Sequence, residues 1–222
     1  MTAHNAVAPE VEGVTKFDLV YAASPALPDA VLAPLIAWRT VLWRLGVIGQ
    51  DPARYGGVGF GNVSQRLAPF TRARPRFAIT GTQTGAEPVL DARHFAIVTA
   101  CDPRRNRVVA EGPVPPSSES LTHGMIYALD PAIRFVFHGH SPEIWRGAER
   151  LRLPCTAPDV AYGTPAMAQE MRRLWRAGAL RRHHVLVMRG HEDGVIAFGR
   201  TAEQAGRALV RTLALALQRL PA

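Results

Sequence analysis

The stretch from Ser117 to His140 constrains this chain more than any other, because helix signals, strand signals and two histidines follow one another within it. Ile133 to Phe137 is rich in β-branched and aromatic residues and follows Pro131, which predicts a strand. On an extended chain, residues two apart share a face at roughly 7 Å, so His138 and His140 converge while Gly139 points away. Imidazole suits zinc and neighbouring divalent metals. Upstream, Leu121, Met125, Ile126 and Leu129 recur at helical spacing behind Ser117 and Ser118, so a helix is expected to start near Glu119. Glu119 then complements the helix dipole. It also stands as a candidate acid/base beside a phosphate site made by the serine hydroxyls and free N–H groups.

A third histidine, His191, lies between the apolar runs Val185 to Met188 and Val195 to Phe198. The Asp193-Gly194 pair is a hairpin signal that puts His191 at a strand end, before the turn. Three imidazoles with an open position have the composition of a catalytic zinc site, with Glu192 and Asp193 as alternative ligands. His183 and His184 are adjacent and point to opposite faces of any strand, so at most one could join a site, and neither is expected to be a ligand because three other histidines already complete a set. His123, one helical turn after Glu119, is a candidate to hydrogen-bond or orient that carboxylate.

The remaining chain reads as one α/β domain with helices flanking a central, largely antiparallel sheet. Residues 1 to 28 are expected to be a flexible lead-in, with the domain running from 29 to 222. Ala30 to Leu45 has helical spacing, and Gly46 is its stop. Runs at Val63 to Leu67, Phe77 to Thr80 and Phe95 to Cys101 predict a meander of strands, with a hairpin loop from Asp102 to Asn106. Ser141-Pro142 and Thr164-Pro165 predict helix starts, and Thr201 caps a last helix from Ala202 to about Arg219.

Charge narrows the chemistry. The formal net charge is +8, yet Lys16 is the only lysine, and it falls in the expected lead-in. A Schiff-base aldolase needs a buried lysine of lowered pKa, so carbonyl activation must come from elsewhere, such as a metal. The arginines are scattered without an aromatic-interleaved element, which argues against nucleic acid and leaves a small anionic substrate as the inference. Cys101 and Cys155 have neither disulfide-framework nor metal spacing. The start of the chain lacks an apolar leader, and no run is long enough to span a bilayer; a soluble cytoplasmic protein without a membrane partner is expected.

Taken together, these landmarks resemble the class II aldolase/adducin superfamily. They run from Gly61-Asn62-Val63-Ser64 through the turn Ile79 to Gly85, Pro116-Ser117-Ser118-Glu119, His123 and Tyr127, His138-Gly139-His140-Ser141 and Tyr162-Gly163-Thr164 to the His191 turn. The resemblance implies a three-layer fold and a divalent metal, usually zinc with manganese, cobalt or iron as alternatives, on His138, His140 and His191. It implies Glu119 as acid/base, and substrate or phosphate contacts at Asn62, Thr80, Thr82, Ser117 and Ser118. The implied function is a retro-aldol lyase on a small keto-sugar or sugar-phosphate-like substrate, in which the metal stabilises an enediolate; a homotetramer is implied as well. Epimerase, dehydratase or decarboxylase activity, an iron-dependent oxygenase and a non-catalytic adducin-like module are the alternatives. Two departures bear on this. Residues 214 to 222 contain no tyrosine, where the sugar-phosphate aldolases place one near the C-terminus, and the His191 turn carries an acidic pair where His-Gly is common.

Overall fold

The computed structural model describes residues 13–70 and 75–219. Eight strands form its main sheet: β1 (Asp18–Ala23), β4 (Asn62–Leu67), β5 (Arg76–Thr80), β6 (Phe95–Asp102), β7 (Arg107–Gly112), β8 (Phe135–His140), β9 (Val185–Val187) and β10 (Gly194–Gly199). Their order across the sheet is β1-β7-β6-β5-β4-β8-β10-β9. A two-stranded ribbon of Gly49–Gln50 (β2) and Gly59–Phe60 (β3) stands apart. Strands β4 to β7 are the expected meander. Strand β8 inserts between β4 and β10, antiparallel to both, and of the eight only β1 pairs in parallel, with β7.

Side-chain alternation along the strands splits the core into two layers. On one face Val136, Phe77, Ile79 and Ile196 pack with Leu121 and Met125 of α2 (Ser120–Tyr127), Met171 of α4 (Pro165–Arg176) and Leu180 of α5 (Ala179–His183). On the other, Phe137, Val63 and Val195 pack with Leu35 of α1 (Asp29–Arg44), Ile144 of α3 (Pro142–Gly147) and Leu209 of α6 (Ala202–Arg219). Each fully buried leucine or phenylalanine contributes about 1.5–3 kcal/mol relative to exposure, so the three layers are held from both sides. The expected caps form: Ser141 Oγ accepts from Ile144 N, and Thr164 Oγ1 from Met167 N.

Three expectations shift. The lead-in does not reach residue 28, because Asp18–Ala23 is an edge strand whose Leu19 and Tyr21 lean on the core and whose Tyr21 hydroxyl donates to Gly112 O at 2.6 Å. Residues 1–12 of that lead-in lie outside the described residues. The histidine strand starts later and runs further than Ile133 to Phe137, so both histidines sit inside it rather than past its end. The short helix α5, between Gly178 and β9, is an addition. Among the described residues, no helix is long and apolar enough to cross a membrane.

Candidate metal centre and anion pocket

Strand β8 presents Val136, His138 and His140 on the α2 face and Gly139 on the other. A Cβ on Gly139 would stand 2.4 Å from Val47 Cγ1 and 2.8 Å from Val47 O, so only glycine lets the strand pass between its two histidines at this depth. His191 reaches the same place from the turn between β9 and β10, which is closed by His191 N–H to Met188 O at 3.1 Å and Gly194 N–H to His191 O at 3.0 Å.

The three Nε2 atoms meet. His140 Nε2 lies 3.2 Å from His138 Nε2 and 3.1 Å from His191 Nε2. Tetrahedral zinc with bonds of roughly 2.0–2.1 Å would set its nitrogens about 3.4 Å apart, so the spacing fits a divalent cation. His138 Nδ1 donates to Val195 O at 3.2 Å, which leaves its Nε2 lone pair facing the cluster. Burial, then the neighbouring imidazoles, hold His138 and His140 well below the usual histidine range, in the neutral form that ligates. All three are buried, and they are the one group of three such ligands among the described residues. The turn acids are not in it. Asp193 Oδ2 accepts from the Tyr55 hydroxyl at 2.7 Å, and Glu192 is exposed.

Glu119, at the head of α2, is fully buried. Its Oε1 is 3.9 Å from His138 Nε2 and 3.8 Å from His191 Nε2, beside the ligand atoms and outside bonding distance of them. Its backbone N–H donates to Ser117 Oγ at 3.3 Å.

Next to this centre is a small pocket lined by Asn62, Thr82, Ser117 and Ser118, with the glycine-rich turn 81–85 as one wall. One link seats it against the histidines and two hold its walls together. Asn62 is the cross-strand partner of His138; Gly81 and Pro116 form a bridge; and Ser117 N–H donates to Thr80 O at 3.1 Å. Gly61 enters this corner at φ +77°, where a Cβ would meet His138 O at 3.1 Å. Asn62 Oδ1 is buried without a hydrogen-bond partner, an unsatisfied polar atom of the kind a ligand would complete.

Two expected residues take other places. Thr80 shares the Ala78 side of β5, and its hydroxyl accepts Val63 N–H at 3.2 Å; it braces β4 and does not line the pocket. The His123 side chain turns to β4 instead of Glu119: Nδ1 is 2.7 Å from Ser64 Oγ, which is 2.7 Å from the Tyr127 hydroxyl. Complete burial pushes the His123 pKa down to about 3. In the unfolded chain it titrates near 6.5, so the unfolded state binds the extra proton between those values and stability is lost as pH falls from 6.5 towards 3. The loss is roughly 1.4 kcal/mol per pH unit, with contributions of the same sign from His138 and His140. Urea unfolding at pH 7, 5 and 4 is expected to show a shallower pH dependence in His123→Gln than in the wild type; identical slopes would contradict the assignment.

Three aromatic rings stand beside the centre where sequence reasoning did not place them, although Tyr162 is among its landmarks. The rings of Tyr55 and Phe60 lie 4.6 and 5.5 Å from His140, and Tyr162 lies 4.5 Å from His191 between centroids. The Tyr162 hydroxyl donates to Val14 O at 3.0 Å. Lys16 Nζ lies 3.6 Å above the Tyr162 ring, so the only lysine packs close to the centre rather than in a free lead-in.

A family model described as the class II aldolase and adducin N-terminal domain matches residues 53–218. Among solved structures, a sugar-phosphate aldolase from Thermotoga maritima superposes with a TM-score of 0.62 at 14% identity, over 86% of this chain and 97% of that one. YgbL from Escherichia coli, for which aldolase, epimerase and decarboxylase are named as alternatives, gives 0.61 at 16% identity, over 86% and 88%. The L-fuculose-1-phosphate aldolase of Thermus thermophilus gives 0.54 at 20% identity, over 86% and 98%. At these identities the structural likeness establishes the fold. No curated protein matches the chain.

Proposed function

The chain belongs to the class II aldolase and adducin family, and from that premise we propose that it is a divalent-metal-dependent carbon–carbon lyase acting on a small keto-sugar or sugar-phosphate-like substrate. The observation that carries the reading is the convergence of three buried Nε2 atoms with the Glu119 carboxylate 3.8–3.9 Å away, against a pocket of serine, asparagine and backbone groups. His138, His140 and His191 would hold the cation, zinc by the donor set. When bound, a divalent cation supplies Lewis-acid polarisation of a carbonyl oxygen.

The protein's own residues do the rest. Asn62, Thr82, Ser117 and Ser118 receive the anionic or hydroxylated end of the substrate and fix its distance from Glu119. In a retro-aldol cleavage the hydroxyl on the departing carbon gives up its proton, which is released to solvent and balances the one that resets Glu119 after turnover; the carbon–carbon bond breaks, that carbon leaves as the aldehyde, and the bonding pair stays on the carbon next to the carbonyl. Protonated Glu119 gives its proton to that carbon; in the reverse direction the carboxylate takes the proton back. Its burial keeps water from competing for the same carbon. A homotetramer in the cytoplasm completes the proposal, resting on the family resemblance and on two cysteines that are both free thiols.

The test incubates metal-loaded protein with a panel of ketose 1-phosphates and follows released aldehyde by coupled reduction. Aldehyde release that a chelator stops and zinc restores is expected. Oxygen consumption by iron-loaded protein, with no release in its absence, would replace the lyase with an oxygenase.

A further inference from the structure

The anion pocket has an unusual lining: among the described residues, none of its side chains is a cation. A buried arginine stands one layer back. Arg39, on α1, is only 1% exposed in a helix whose other buried side chains are leucines. Its guanidinium fork is spent on backbone carbonyls of one segment, with Nη2 donating to Thr84 O at 2.7 Å and Gly85 O at 3.4 Å, and Nη1 to Glu87 O. Trp43, one helical turn further, adds Nε1–H to Gly85 O at 3.2 Å. The carbonyls of Thr84 and Gly85 belong to the turn that forms the pocket wall, and Glu87 lies just beyond it.

That turn needs holding. Gln83 sits at φ +58°, in the left-handed region, and a Cβ on Gly85 would stand 2.4 Å from Gly49 O and 2.8 Å from Gly59 Cα. In a trans peptide the C=O and the following N–H point in opposite directions. Pinning the carbonyls of Thr84 and Gly85 to α1 therefore turns the N–H groups of Gly85 and Ala86 away from it. Burial lowers the Arg39 pKa only to about 10, with Glu87 opposing the shift, so the side chain keeps its charge at neutral pH.

We propose that Arg39 is the positioning residue of the anion pocket: its buried fork sets the shape of turn 81–87, and its charge supplies positive potential that the lining side chains lack. Trp43 assists through Gly85. The inference rests on reading the pocket as an anion site. A lysine in place of Arg39 keeps the charge but offers no planar fork to three carbonyls, so charge and shape are separable.

The experiment measures dissociation constants for inorganic phosphate and for zinc, from ligand-dependent thermal unfolding, in the wild type, Arg39→Met, Arg39→Lys and Trp43→Phe. Phosphate affinity is expected to fall at least about tenfold in Arg39→Met, severalfold in Arg39→Lys and about twofold in Trp43→Phe, while zinc affinity stays within about twofold throughout. Phosphate affinity that is unchanged, or that falls in step with zinc affinity as a merely structural role requires, would overturn the inference and leave the pocket reading intact. A wild type without saturable phosphate binding would overturn the pocket reading and the inference with it. Should Arg39→Met fail to fold, Arg39→Lys and Trp43→Phe carry the same comparison.

Discussion

Glu119→Gln is expected to lower turnover by about 10²- to 10⁴-fold while leaving the metal content of the protein unchanged. The substitution keeps the volume and hydrogen-bonding capacity of the side chain and removes its ability to exchange a proton. The geometry makes the separation clean. Oε1 stands 3.9 Å from His138 Nε2 and 3.8 Å from His191 Nε2, while the Nε2 atoms of the three histidines approach one another at 3.1–3.2 Å. A Gln variant with wild-type turnover would remove Glu119 from the reaction; one that loses its metal would make it a ligand. Neither outcome is expected from a carboxylate placed at the head of a helix by its own backbone bond to Ser117.

Chelation is expected to have the second large effect, and it is thermodynamic. His140 Nε2 sits within 3.2 Å of two other imidazole nitrogens, and one N–H can serve only one of them. His138, committed through Nδ1 to Val195 O, offers only a lone pair. A cation satisfies all three at once. A ligand bound to the folded state alone stabilises it by about 2.7 kcal/mol at a concentration of 100 Kd and about 4.1 kcal/mol at 1,000 Kd. For a chain of this size that is a fall in Tm of roughly 5–16 °C on chelation, reversed by adding zinc. Differential scanning calorimetry with and without a chelator measures it. A Tm that does not move in either direction would mean that nothing at these three residues couples a metal to folding.

How far the sequence carried depends on the range of the interaction that decides each element. The His138 and His140 pair was legible because a period of two is a local property of any strand. The helix α2 and the Ser141 and Thr164 caps were legible for the same reason: spacing and capping are set within one or two turns. Strand β1 was not, because its partner β7 lies far along the chain and its exposed positions Val20 and Ala22 are apolar, so the sequence shows no polar/apolar alternation there. Thr80 and His123 went astray by one face each. Their positions along the chain were right, but the hydroxyl of Ser64 and the backbone of Val63, brought in by β4, decide where those side chains bond. Tyr55, in a turn at φ +51°, reaches His140 only because the β2–β3 ribbon folds its loop over the centre. The role inferred for Arg39 is of the same kind: a lone arginine in an apolar helix shows its purpose only when the turn 84–87 is seen on top of it.

The most direct test of the central claim is the metal content of protein purified without added metal and without a chelating column, beside a His138→Ala, His140→Ala double variant prepared in the same way. Near-stoichiometric zinc in the wild type, lost in the variant, is the result predicted. A wild type that holds no metal even after zinc, manganese, cobalt and iron are supplied in turn would contradict the metal-dependent lyase, and would make a non-catalytic member of the family the better account of the same fold.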